Sequence, residues 1–215
     1  CHFFIAASLI IAAGHLAELL VDGFGVYRSL DLFSILVLVL ASSQALMFTF
    51  MLILLFDSRY VTFANVMKHA APSLVFILLY VVSCCIEADV CVYSLAEWRA
   101  CVVHNLPLAV RTLFGVTYTV QLFVYVRLFF RKKHRYITHL KELTGECISK
   151  LELRWTMRAF LYALSIGIGA WVLLVCPGPI PEFSFSFLIV VFYPAFAFSS
   201  TIRNIRYYVM TIATL

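Results

Sequence analysis

Residues 33–56 read FSILVLVLASSQALMFTFMLILLF, without a single charged side chain. A helix rises 1.5 Å per residue, and the hydrocarbon core of a bilayer is about 30 Å thick, so about 20 apolar residues suffice to cross it. This stretch is long enough. Its apolar residues run on continuously instead of alternating with polar ones, which argues against a strand of an outer-membrane barrel. The same reading applies to five other segments, about 1–21, 70–86, 106–126, 159–176 and 183–202. The expected fold is an all-α integral membrane protein, a six-helix transmembrane bundle in a single domain of residues 1–215.

Composition agrees with that class. Of 215 residues, 64% are hydrophobic and 13% charged, against roughly 45–50% and 25% in soluble domains. Mean hydropathy is +1.00. These values exclude a soluble enzyme, a disordered chain and a free-standing nucleic-acid module, despite the formal net charge of +5.

Lys and Arg are retained in short cytoplasmic loops, so their distribution orients the bundle. Thirteen fall after spans two, four and six: Arg59 and Lys68; Arg127, Arg131, Lys132, Lys133, Arg135, Lys141, Lys150, Arg154 and Arg158; Arg203 and Arg206. The alternate loops hold two, Arg28 and Arg99. The split predicts a multi-pass membrane protein with both termini cytoplasmic. The first apolar run lacks a basic n-region and is a full span rather than a signal peptide, and residues are expected before Cys1.

The elbow at 127–158 departs from the short connections elsewhere. Tyr136, Leu140, Leu143, Cys147, Leu151 and Trp155 recur every three or four residues, a helical stripe. Gly145 after Thr144 marks a helix end, and Ser149-Lys150-Leu151-Glu152 reads as a capping box. Span four is therefore expected to continue as helix to about Thr144. Arg131, Lys132, Lys133, Arg135 and Trp155 are candidates for cytoplasmic coupling to a partner domain. The alternative is a solvated basic loop beside anionic headgroups.

An ionisable group inside a span is costly and is read first as functional. His15, Glu18 and Asp22 share one face of span one, and Arg111 lies about 7–8 Å into span four from the same surface. They are expected to pair, as a structural ion pair or as a ligand or proton site. Gln44, beside Ser42 and Ser43, and Gln121 are further candidates, for interhelical hydrogen bonds or a substrate path. Pro72 and Pro107 fall in the first turns of spans three and four, and Pro194 would kink span six. Gly167, Gly169 and Ala170 allow close packing. Cys91 and Cys101 share an outer loop in which a disulfide could persist, but free cysteines acting as small hydrophobes are the first reading.

No G-x-S-x-G, H-E-x-x-H, P-loop or dinucleotide fingerprint is present, and no Lys stands inside a span to form a Schiff base. Neither an enzyme, a metal nor a cofactor is expected. The bilayer is the expected partner; a homodimer and a small ligand stay open, and this segment is not expected to touch nucleic acid.

Leu30-Asp31-Leu32-Phe33-Ser34 through Ser42-Ser43-Gln44-Ala45-Leu46-Met47-Phe48-Thr49 resembles the second span of a group of Bacteroidota membrane proteins. The elbow from Arg131 to Arg135-Tyr136, with Leu151-Glu152-Leu153-Arg154-Trp155, is similar to theirs. So is the sixth span, with Phe192-Tyr193 and Arg203-Asn204-Ile205-Arg206-Tyr207-Tyr208. In that group a membrane sensory region precedes a cytoplasmic AraC-type helix-turn-helix domain. The resemblance implies a sensory, signal-transducing membrane domain of a one-component transcriptional regulator, whose DNA-binding domain would follow Leu215. A small transporter or channel, or a structural subunit of a membrane complex, are the other readings.

Overall fold

A computed structural model describes residues 31–54, 56–144, 150–176, 181, 183–195 and 198. These form helices and no strands: α1 (Ile35–Leu54), α2 (Phe63–Ile86), α3 (Leu95–Cys101), α4 (Leu106–Thr144), α5 (Lys150–Val175) and α6 (Phe183–Ala195). Four of them, α1, α2, α4 and α5, are long and apolar enough to cross a bilayer, consistent with a membrane-embedded protein. The chain divides into two units. One is Ser29–Gly178, which carries α1 to α5; the other combines the two terminal segments, with α6 as its described part.

Helix α1 starts from a tightly held corner. The Leu32 amide donates to the Val92 carbonyl at 2.7 Å and the Phe33 amide to the Leu174 carbonyl at 3.0 Å. Phe33 has a φ of +53°, which an aromatic residue adopts only where its surroundings impose it. At its other end the Phe56 and Asp57 amides both close onto the Ile53 carbonyl, at 2.9 and 2.8 Å.

Helix α2 begins seven residues before the apolar run at 70. Thr62 caps it, its hydroxyl accepting from the Asn65 amide at 3.3 Å. Its first two turns carry Asn65, Lys68 and His69 and so escape a hydropathy criterion. Pro72 therefore stands inside the helix, not in its first turn as expected. Proline is tolerated within membrane helices where neighbours satisfy the freed backbone groups. Pro72 frees the Lys68 carbonyl; the next carbonyl along, that of His69, accepts from Gln121 Nε2 at 3.4 Å and Tyr125 Oη at 3.5 Å. Pro107 does lie in a first turn, that of α4. Asn105 there accepts from the Leu108 amide at 3.0 Å, and Glu87 accepts from the Leu106 amide at 2.8 Å.

Within Ser29–Gly178, α1 packs on α2, α4 and α5, and α4 also packs on α2 and α5. Lipid is as apolar as leucine, so close packing and hydrogen bonds hold such helices together more than hydrophobic burial does. Phe76 stacks on Phe114 at 5.6 Å between α2 and α4. Tyr118 donates to the Gly167 carbonyl at 3.1 Å, and Trp171 donates to Thr119 at 3.1 Å, joining α4 to α5. Gly115 faces Phe33 so closely that a Cβ there would lie 2.7 Å from the ring. The outward faces, among them Leu78 and Ile86 of α2 and Val120 and Phe123 of α4, are exposed and apolar, as lipid contact requires.

Helix α4 is 39 residues long, about 58 Å by helical rise and nearly twice the core thickness. It therefore continues well beyond one face before α5 returns from Lys150. Residues 145–149, including Ser149 of the expected capping box, lie outside the described residues.

Candidate functional site

Two charged nodes stand at opposite ends of the α4 span. At one end Arg111 is 1% exposed. Its Nη1 donates to Asp31 Oδ2, and its Nη2 lies 3.1 Å from Asp89 Oδ1 and 2.9 Å from the Val90 carbonyl. Asp89 also accepts from the Tyr80 hydroxyl at 2.8 Å. Among the described residues the Arg111 Nε has no hydrogen-bond partner. A guanidinium this deeply withdrawn from water persists only if paired, and here it has two carboxylates and a carbonyl. The node ties together the start of α1, the loop after α2 and the first turns of α4. Asn105 Nδ2 fixes the same loop through the Ala88 carbonyl at 2.9 Å. Short α3 closes this end, with Trp98 donating to Thr112 at 3.0 Å and packing 6.0 Å from Phe33.

At the other end Lys132 reaches into the bundle. Its Nζ donates to Asp57 Oδ2 at 2.8 Å and sits 3.6 Å from the centre of the Tyr60 ring, a cation–π contact. The Lys132 hydrogen bond holds the Asp57 carboxyl below its ordinary value, against the opposing effect of burial. Tyr60 continues inward, its hydroxyl 3.3 Å from His69 Nε2. Beside this chain lies an aromatic cluster: Phe129 stacks on Phe160 at 3.9 Å and meets Phe56 at 5.7 Å, and Phe56 meets Tyr136 at 5.4 Å. It welds the end of α1 to α4 and α5.

The expected site residues are thus redistributed. Arg111 is central, but the partners described for it are Asp31 and Asp89; His15, Glu18 and Asp22 lie outside the described residues. Gln121 joins α4 to α2, donating to Ser73 Oγ at 3.2 Å and to the His69 carbonyl. Gln44 is buried on α1, and Ser42 bonds locally to the Val39 carbonyl at 3.2 Å. Of the proposed coupling residues, Arg131 and Arg135 are exposed. Lys132 is not: its charge is spent inside the bundle on Asp57. Lys133 lies against the Met157 sulfur at 3.5 Å, and the Trp155 side chain is outside the described set. Cys91 and Cys101 are free thiols, not a disulfide. Among the described residues no group of three His, Cys, Asp or Glu side chains gathers to hold a metal.

Asp31, Asp57 and Asp89 each lie just beyond a span end, so no charge inside a span marks them. Their signal was topological. Alternating spans bring the start of span two and the end of span three to the same side as the start of span four, where Arg111 sits. No protein-family model, curated protein or solved structure matches the chain.

Proposed function

We propose that this chain is the signal-transducing membrane domain of a larger regulator, with the basic end in the cytoplasm of a bacterial inner membrane. The observation that carries this reading is α4 itself. One uninterrupted 39-residue helix bears Arg111 at the outer end, Lys132 near the inner boundary, and a projection into the cytoplasm. Any displacement of the outer loop that alters the Asp31–Arg111–Asp89 node acts on that rod directly, since a helix transmits rotation and translation along its length. The α4–α5 projection is then the output element, and the resemblance in the sequence supplies its target, a helix-turn-helix domain beyond Leu215. Positive-inside retention supports the orientation.

The test uses the full-length gene product in its own cells. Deleting the gene changes a defined set of transcripts. One alanine inserted after Thr138 turns the output by about 100° and abolishes the response, whereas a four-residue insertion, about one full turn, restores part of it. Unchanged transcripts with altered solute uptake would replace this reading by a transporter.

A further inference from the structure

The exposed face of α4 changes character within one turn. Leu113, Val116, Val120 and Phe123 follow one another at helical spacing and are all exposed, Phe123 to 72%. The next residues on the same face are Arg127, Arg131 and Arg135, also exposed. Arg127 lies 16 residues from Arg111, about 24 Å along the helix, which together with the depth of about 7–8 Å expected for Arg111 matches the thickness of the hydrocarbon core. These arginines accordingly begin at headgroup depth.

On α4 the cations at this level are sorted by type. The lysines of the α4 cluster turn inward, Lys132 to Asp57 and Lys133 to Met157; the arginines stay outside. Phe130 meets Phe160 at 5.7 Å and Lys133 meets Met157, so Arg131 and exposed Arg158 of α5 stand at the same height. Exposed Arg59 and Lys68 lie at the same end of the bundle. The one acid described at this level, Asp57, is already taken by Lys132. A planar guanidinium matches the paired oxygens of a phosphate better than an ammonium does. An apolar face running straight into arginines with no carboxylate partner among the described residues fits a molecule that is itself apolar, then anionic.

We infer that Arg127, Arg131 and Arg158 form a binding surface for the phosphodiester headgroup of an anionic phospholipid, whose acyl chains lie on the apolar face of α4. The inference does not depend on the signalling role, only on the helices crossing a bilayer.

The test is native mass spectrometry of the full chain released from nanodiscs of equal phosphatidylglycerol and phosphatidylcholine. The wild-type protein retains phosphatidylglycerol in preference; equal retention of the two lipids overturns the proposal without recourse to any variant. Arg127→Gln, Arg131→Gln and Arg158→Gln each lower the preference about fivefold, near the attraction expected for one basic residue at an anionic surface. A triple variant that keeps the wild-type preference also overturns it. Inorganic phosphate leaves the retained lipid in place; displacement by millimolar phosphate would assign the surface to a soluble anion instead.

Discussion

Arg111 and Lys132 are carried by the same helix near opposite ends of its apolar stretch, yet their surroundings differ. Arg111 is sealed: it is 1% exposed, with Asp31 and Asp89 at 17% and 25%, and both carboxylates belong to segments that close the outer end. Lys132 is also buried, at 10%, but it has one carboxylate, Asp57, which is 35% exposed, and otherwise rests on the face of an aromatic ring. A dry ion pair makes the loss of one partner very costly, whereas water and salt screen a wet one. The Arg111 end of α4 is therefore the more firmly clasped of the two.

The largest expected effect tests the clasp. Arg111→Leu leaves two acids without their cation and should destabilise the bundle by on the order of 3–5 kcal/mol, read as thermal unfolding in detergent. The double change with Asp31→Leu should lose less than the sum of the single changes. Strict additivity would mean the two residues are not coupled and would remove the contrast between the ends.

Gly115→Ala tests the same end without touching charge. Its Cβ would meet the Phe33 ring at 2.7 Å, and Phe33 cannot yield easily because its backbone is tied to Leu174 and held at positive φ. A loss of about 1–3 kcal/mol is expected. Gly167→Ala, which meets a flexible Leu122 methyl at 3.0 Å, should cost less. The reverse order would show that the outer corner yields more readily than the α4–α5 seam.

Asp57→Asn should cost about 1 kcal/mol or less, because its carboxylate is partly wet. The pH dependence has a definite sign. Lys132 lowers the folded-state pKa of Asp57 below the ordinary 3.8. The contribution is therefore present above that value and is lost as pH falls through the folded-state pKa. A melting profile taken across the acid range should show less decline for Asp57→Asn than for wild type. High salt should shrink this difference far more than that at Arg111.

Tyr60→Phe should have the smallest effect. It keeps the ring beneath Lys132 and removes only the 3.3 Å contact with His69, for a change within about 0.5 kcal/mol. Tyr60→Leu, which also removes the ring, should exceed it. Equal effects in a melting assay would show that the cation–π contact contributes nothing.

The helical class and the existence of four long apolar helices follow from the sequence alone, because a bilayer imposes length and hydropathy on any segment that crosses it. The start of α2 did not, since its first two turns carry Asn65, Lys68 and His69. The continuation of α4 to Thr144 and the start of α5 near Lys150 also follow from the sequence, although the glycine and the capping serine that mark them lie outside the described residues. So did the importance of Arg111, since a charge within a span must be paired. Which acids pair with it did not follow. Asp31, Asp57 and Asp89 sit outside the spans in ordinary loop positions, and only the antiparallel packing of α1, α2 and α4 brings them to Arg111 and Lys132. The same packing turned Lys132 inward and left Arg131 outside, though the two are adjacent in the chain. Hydropathy reports how deep a residue can lie. The side of the helix that meets a neighbour is set by the other helices, and no single segment contains that information.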